Sequence, residues 1–335
     1  MDNDRRPAHV TGLPRSLYLE TTNRCDSECQ TCVRTFRTLE PPADLTLSRV
    51  KEIVAQFPVL DRVVLHGIGE PLLNREIFDI VAYLKGRVPV VLFNSDAISL
   101  TARRAGRLIE SGLDEYRVSM DASARATYRR IRGVDQFDRV VDNVRRLIQI
   151  ARELGRATPR VSLWFTASRA NLDELPGFVR LAAGLGVAEV YVQRLVFNGL
   201  GLATEENALH GQLLAREQTL LDEAETLARG AGLAMRASGL TTPLASLGGQ
   251  APGTRPWAGC QRPWTLSYVT ANGNVLPCCI SPWVARDYEA LVLGNAFTTP
   301  FAEIWNGEGY QRFRIQFESD VPPDPCRGCG SLWSL

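Results

Sequence analysis

Eight cysteines fall into two groups at opposite ends of the chain, with none between residues 33 and 259. Cys25, Cys29 and Cys32 form a Cys-x3-Cys-x2-Cys run, and Cys260, Cys278, Cys279, Cys326 and Cys329 lie in the last quarter. Met1 to Pro7 is polar and charged, so no export signal accompanies them. Without one, a disulfide framework is a poor reading and thiolate–metal chemistry a better one. Three thiolates on one short loop can hold three corners of a [4Fe–4S] cube, leaving one iron open to a small molecule. Structural zinc normally takes four protein ligands, and the first group supplies three. In the tail, Cys260-x17-Cys278 followed by Cys326-x2-Cys329 offers four thiolates. Taken alone, that spacing suits zinc or a second cluster, with zinc the commoner occupant. Cys279 has no ligand role in this count. It is either a small apolar residue beside a ligand or a thiol able to donate a hydrogen atom.

The elements that must position these groups follow from periodicity. Strand-like runs at Leu17–Thr21, Arg62–His66, Val88–Phe93, Tyr116–Met120, Val161–Thr166 and Val187–Val192 alternate with helical patterns at 47–57, 74–86, 101–112, 135–154 and 172–184. Thr46 is a fitting N-cap for the first helix. Six βα units predict an α/β fold, an open (β/α)6 partial TIM barrel. Its ligands sit at the carboxyl ends of the strands. The cysteine loop follows the first strand directly. Beyond residue 196 the pattern breaks, with a helix at 207–229 and a short strand at Leu233–Arg236. The expected division is a loose lead-in at 1–14, a core at 15–237, a linker at 238–258 and a small α+β cysteine-bearing module at 259–335. In that module Asn272-Gly273 turns a hairpin of Leu266–Thr270 and Asn274–Pro277, and a helix covers 300–314. Trp257, Trp264, Trp283 and Trp305 are expected to pack this module.

Composition narrows the classes. The chain has 335 residues, 45% hydrophobic and 22% charged, with 38 basic against 37 acidic residues. A net charge of +1 argues against a dedicated nucleic-acid or acidic-membrane binder. No apolar run reaches the ~18 residues of a membrane span. A cytoplasmic location is expected.

From the cysteine loop onward the sequence resembles the radical S-adenosylmethionine (SAM) superfamily, over about 15–235. That resemblance implies SAM bound at the open iron and cleaved to a 5′-deoxyadenosyl radical, which abstracts hydrogen. It also implies an external electron donor of flavodoxin or ferredoxin type. Gly67-Ile68-Gly69-Glu70-Pro71 resembles the family's Gly-Gly-Glu-Pro motif, with Ile68 in place of the second glycine, and its Glu70 is expected at the SAM amino group. Asn94, Ser119, Asp121 and Thr166 resemble ribose and methionine contacts, and Arg132, in Ile131-Arg132-Gly133, a partner of the SAM carboxylate. The family's aromatic residue before the third cysteine is Thr31 here. The tail resembles the Twitch module, a truncated SPASM domain, which implies that Cys260, Cys278, Cys326 and Cys329 hold a second [4Fe–4S] cluster.

His66, Gln193 and Arg194, at strand ends over the barrel mouth, are expected to face the substrate, while His9 and His210 read as surface residues. No leader-peptide-binding segment is visible. The resemblance to Twitch enzymes of aminocyclitol, sugar and nucleoside antibiotic pathways therefore implies a small carbohydrate-like substrate. Epimerisation with Cys279 as hydrogen donor leads. Dehydrogenation of a secondary alcohol, with the second cluster as electron acceptor, and radical decarboxylation are alternatives. A zinc-stapled binding protein is the reading outside enzymes.

Overall fold

The computed structural model describes residues 6–239, 241–249, 255, 257–284, 286–327 and 329. Parts of the expected lead-in, linker and C-terminal module lie outside these residues.

Ten strands form one sheet: β1 (Ser16–Leu19), β2 (Arg62–Leu65), β3 (Val90–Ser95), β4 (Glu115–Ser119), β5 (Arg160–Ala167), β6 (Glu189–Arg194), β7 (Ala234–Ala237), β8 (Leu266–Val269), β9 (Asn274–Leu276) and β10 (Gly294–Asn295). Their spatial order is β10-β9-β8-β1-β2-β3-β4-β5-β6-β7. The six predicted parallel strands are present as β1–β6. Two more extend them in parallel, β7 on β6 and β8 on β1, while β9 and β10 pair antiparallel at the β8 edge. The barrel stays open, because β7 and β10 end the sheet. The tail hairpin thus continues the barrel's own sheet, with Tyr18 beside Tyr268.

Strand alternation separates two environments. On β5 and β6, Leu163, Phe165, Val190 and Val192 are buried. They join the large core between sheet and helices. The intervening Trp164, Thr166, Tyr191 and Gln193 are only partly buried and line the interior cavities. One face of each strand therefore supplies stability and the other chemistry.

The helices largely follow the predicted pattern. Thr46 caps Leu47–Val54 by accepting from Arg49 N, and Thr101 caps Ala102–Glu110 in the same way. Several expectations change. Arg125–Arg132 is a helix that the periodicity reading missed; it is short and arginine-rich, with Tyr128 and Ile131 on its buried face. The helix predicted at 207–229 begins at Ala215. The segment predicted as one helix at 300–314 is two, Phe301–Trp305 and Glu308–Phe317. They are separated at Asn306-Gly307, where the Asn306 side chain instead bonds Val10 N and O. The expected linker contains a helix, Pro243–Gly248, capped by Thr242. The lead-in is anchored: the Arg6 guanidinium pairs with Glu318 at 2.6 Å and lies 3.9 Å over the Trp264 ring.

Candidate active site

The cysteine loop is gripped from three sides. Arg34 donates to the carbonyls of Asn23 at 3.1 Å, Cys25 at 3.3 Å and Ser27 at 3.4 Å. The amides of Glu28 and Gln30 donate to Arg132 O and Ile131 O at 3.1 and 2.7 Å, and Leu202 N donates to Gln30 O at 2.7 Å. Gly133, at φ +72°, sits so close beneath the loop that a Cβ would lie 2.2 Å from Glu28 O. Only glycine meets both demands. The Ile131-Arg132-Gly133 segment is thus a shelf for the cysteines.

The Gly67–Pro71 turn is fixed by similar close approach. A Cβ on Gly67 would lie 2.3 Å from the Glu20 side chain, and one on Gly69 2.1 Å from Thr22 O. Ile68 stands between them with its amide on Glu20 Oε1 at 2.8 Å and lines the cavity, which explains why a side chain is tolerated there. Glu70 lines the cavity too, but both its oxygens hold protein donors. Oε1 accepts from Leu72 N at 2.9 Å and Ser95 Oγ at 2.8 Å, and Oε2 from Asp96 N at 2.7 Å. Its first task is therefore to lock the end of β3, and a ligand's amino group can meet it only at the remaining lone pair of Oε2. Pro71 starts a short turn, Pro71–Leu73, behind the cavity wall.

One cavity gathers Cys25, Cys29, Cys32, His66, Gly67, Gly69, Glu70, Asn94, Ser119, Asp121, Arg132, Thr166 and Gln193. All but Pro71 of the residues predicted for the first cluster and SAM are in it. Arg132 Nη1 pairs with Asp121 Oδ2 at 3.0 Å, and Asp121 Oδ1 accepts from Thr166 N at 2.7 Å. Asp121 is held at φ +62°, a left-handed conformation that costs a non-glycine residue energy and that surrounding contacts must over-determine. Asn171, bonding Asp121 O at 3.0 Å, is one of those contacts.

The donor set fits an iron–sulfur cluster. Burial pushes the Cys29 thiol up to about 12, and raises those of Cys25 and Cys32 as well. Buried acids add to this at Cys25: burial raises Asp96 to about 6 and Glu70 well above the usual carboxylate range. Asp26 Oδ1 is buried without a partner. The charge of Arg132 opposes burial at Cys29 and Cys32, with Arg34 helping at Cys32, and bound iron would complete that shift and hold the thiols ionised.

Cys279 opens into a second cavity, with Tyr18, Arg62, Arg117, Trp164, Tyr191, Arg194, Ser238 and Arg262. His66, Asn94, Gln193, Val196 and Ile280 line both cavities. Burial pushes the Cys279 thiol up, while Arg262 and a hydrogen bond from Tyr18 hold it back. His66 stacks on Trp283 with centroids 5.2 Å apart and planes at 5°. Burial and the Arg117 charge hold its imidazole down to about 4, so it is neutral at ordinary pH. Trp283, expected to pack the tail module, is therefore a cavity residue. It supplies an aromatic surface near Thr31. Arg194 is buried against Ser246, and His210, expected at the surface, packs against it at 3.4 Å.

The tail thiols converge without crowding. Burial raises Cys326 well above the usual thiol range, and Cys278, Cys329 and Cys260 add repulsion. The Arg262 guanidinium lies among Cys279, Cys278, Cys260 and Cys329 and stays protonated. Among the described residues, no three of these sulfurs lie within 4.8 Å of one another. A four-thiolate zinc site, with Zn–S of ~2.3 Å, needs sulfurs ~3.8 Å apart.

The alternation rule could have found Arg62 and Arg117, which share the inward face with His66 and Ser119 on β2 and β4. Asp96 had no sequence signal, and Arg262 is brought in only by the tail fold.

Residues 19–155 match the model of the Radical SAM superfamily, and residues 260–330 that of SPASM, an iron–sulfur cluster-binding domain. The chain is 26% identical to PqqA peptide cyclase of Streptomyces rochei, over 96% of this chain and 82% of that protein. It is 22% identical to pre-heme d1 synthase of Dinoroseobacter shibae, over 90% and 76%. The crystal structure of Streptococcus suis SuiB bound to S-adenosylmethionine shares the fold, with a TM-score of 0.70 and 16% identity over 92% of this chain and 69% of SuiB.

Proposed function

The chain belongs to the radical SAM superfamily, with a SPASM-type iron–sulfur domain behind the barrel, and from that premise we propose that it inverts a carbon centre of a small polar metabolite. The observation that carries this reading is the junction of the two cavities. The cysteine-loop cavity and the Cys279 cavity share five wall residues. A substrate in the second thus meets hydrogen abstraction from one side and a thiol from the other.

Cys25, Cys29 and Cys32 would hold the cluster that, with bound SAM, would supply hydrogen-atom abstraction. The chain's own residues do the rest. The Asp121–Arg132 pair and Gly133 fix the cysteine loop; Asn94, Ser119 and Thr166 offer polar contacts along the SAM cavity. Trp283, stacked on His66, supplies the aromatic face that Thr31 lacks. Cys279 gives its S–H hydrogen to the substrate carbon, forming a C–H bond and leaving a sulfur radical. A cluster held by Cys260, Cys278, Cys326 and Cys329 would supply the electron that, with a proton from solvent, restores the thiol, and an external flavodoxin- or ferredoxin-type donor would replace that electron.

The named relatives are a peptide cyclase and a pre-heme d1 synthase, and they favour no carbohydrate substrate. The position of the tail thiols beside the same cavity also supports the second reading, dehydrogenation of an alcohol with the second cluster as electron acceptor. Assays in D2O decide. Epimerisation places one deuterium at the inverted carbon, and Cys279→Ala still cleaves SAM but makes no inverted product. A fully active Cys279→Ala, or a product two mass units lighter, replaces this reading by dehydrogenation; loss of carbon dioxide replaces it by decarboxylation. No described helix is long and apolar enough to cross a membrane.

A further inference from the structure

The Cys279 cavity has an unusual charge lining for a chain whose net charge is only +1. Arg62, Arg117, Arg194 and Arg262 all line it, and among the described residues no aspartate or glutamate does. Two of these arginines have identifiable commitments elsewhere. Arg194 bonds Ser246, and Arg262 lies among the tail thiols. The other two point to a ligand. Both line the cavity; Arg62 makes no ion pair among the described residues, and Arg117 gives one nitrogen to Glu115 and keeps the rest of its guanidinium for the cavity.

Arg117 is also held in place before any ligand arrives. Its Nη2 bonds Glu115 Oε2 at 3.1 Å, which fixes one edge of the guanidinium. Its plane lies 4.6 Å over the Trp164 ring. Trp164 in turn stacks on Tyr191 at 4.1 Å and 19°. A guanidinium immobilised by a ring and a carboxylate loses little entropy on binding an anion. The field of Arg62, Arg262 and Arg117 is felt at the Tyr18 hydroxyl, where it opposes the effect of burial, and that of Arg117 at His66. These two side chains bound the cavity, so the field crosses it.

We infer that the substrate carries an anionic group, a carboxylate or a phosphate, seated on Arg62 and Arg117 within the Cys279 cavity, with its reacting carbon toward the cysteine-loop cavity. This names the substrate class for the site of the proposed function and rests on that reading for the role of the site, but its binding test does not. A neutral sugar leaves the Arg62 and Arg117 guanidiniums on the cavity wall without an anion to face. A carboxylate or phosphate satisfies them with charge-assisted hydrogen bonds.

The test uses the full chain, reconstituted anaerobically with iron and sulfide, in equilibrium dialysis against inorganic phosphate, succinate and, as the neutral probe, glycerol. At least one anion should bind one site per chain at least about tenfold more tightly than glycerol. Binding should weaken at least about tenfold in Arg62→Gln and in Arg117→Gln, the loss expected for one charge-assisted hydrogen bond. Arg62→Lys, which keeps the charge and loses the fork, should bind between the two. Preference for phosphate or for succinate distinguishes a phosphoryl from a carboxylate substrate. If a glutamine variant fails to fold, the wild-type salt series still decides, because an ionic site weakens steadily as salt rises. Anion binding no tighter than glycerol's, binding unmoved by both glutamine variants, or binding insensitive to salt overturns the inference. SAM cleavage, measured on the same preparation, reports separately. Cleavage without anion binding fails this inference alone, and anion binding without cleavage fails the proposed chemistry alone.

Discussion

Replacing Asp121 by Asn should destabilise the cysteine shelf, and by more in the metal-free protein than in the loaded one. Asp121 and Arg132 meet at 3.0 Å with side chains 4% and 10% exposed. Coulomb's law at that distance and an effective dielectric constant of about 20 gives about 5.5 kcal/mol of attraction, most of which offsets the desolvation of the two charges. Asn keeps the shape and can keep the bond from Thr166 N, but its amide offers no charge to the buried guanidinium. Breaking one side of a buried pair typically costs about 3–5 kcal/mol. Arg132 also feels Cys29 and Cys32. Once those sulfurs are ionised on iron they compensate the stranded charge, so the loaded protein should lose less. The assay is urea unfolding, followed by tryptophan fluorescence under anaerobic conditions, of metal-free and reconstituted Asp121→Asn. Arg132→Met and the double variant complete the cycle. The double variant should recover part of the loss, since removing both charges leaves none uncompensated. A metal-free loss under about 1 kcal/mol, an equal loss in both forms, or a double variant as unstable as the sum of the singles would refute the reasoning.

Two further outcomes follow from the same geometry. Anaerobically reconstituted protein should hold about eight irons, by the four-iron cluster rule, and the combined Cys25→Ala, Cys29→Ala and Cys32→Ala variant about half, with SAM cleavage abolished; zinc in place of iron at the tail site would contradict the two-cluster reading. Glu20 should make stability depend on pH: burial raises its carboxyl to about 7 despite bonds from Ile68 N, Ala271 N and Tyr268. Since the unfolded chain releases that proton near the ordinary ~4.3, the folded state binds more protons between the two values, and stability should fall as pH rises from about 4.5 through 7. Glu20→Gln should flatten that slope in urea melts across the range.

Local information decided the motifs, and long-range pairing decided what they surround. Cys-x3-Cys-x2-Cys after a strand, Gly67–Pro71 after the next and the six βα repeats were all readable, because each is set by spacing within a few turns of chain. The same holds for Thr46 as a cap and Asn272-Gly273 as a turn. The helix Arg125–Arg132 was passed over, since in eight residues rich in arginine only Tyr128 and Ile131 mark its buried face. Its position comes from the shelf it makes for Glu28 and Gln30. The addition of β8 to β1 joins residues some 250 positions apart, and no periodicity encodes that choice. That pairing brings Cys279 and Arg262 up against Arg62 and Arg117. Residues that the sequence scatters over two hundred positions thereby come to share one cavity. The sequence by itself determined which thiols could hold metal and that a barrel would present them. Only the tertiary structure decided that Cys279 lines a cavity adjoining the one around the first three cysteines, and that its cavity is walled by arginine, because burial and charge at a cavity are sums over strands that meet only in the folded sheet.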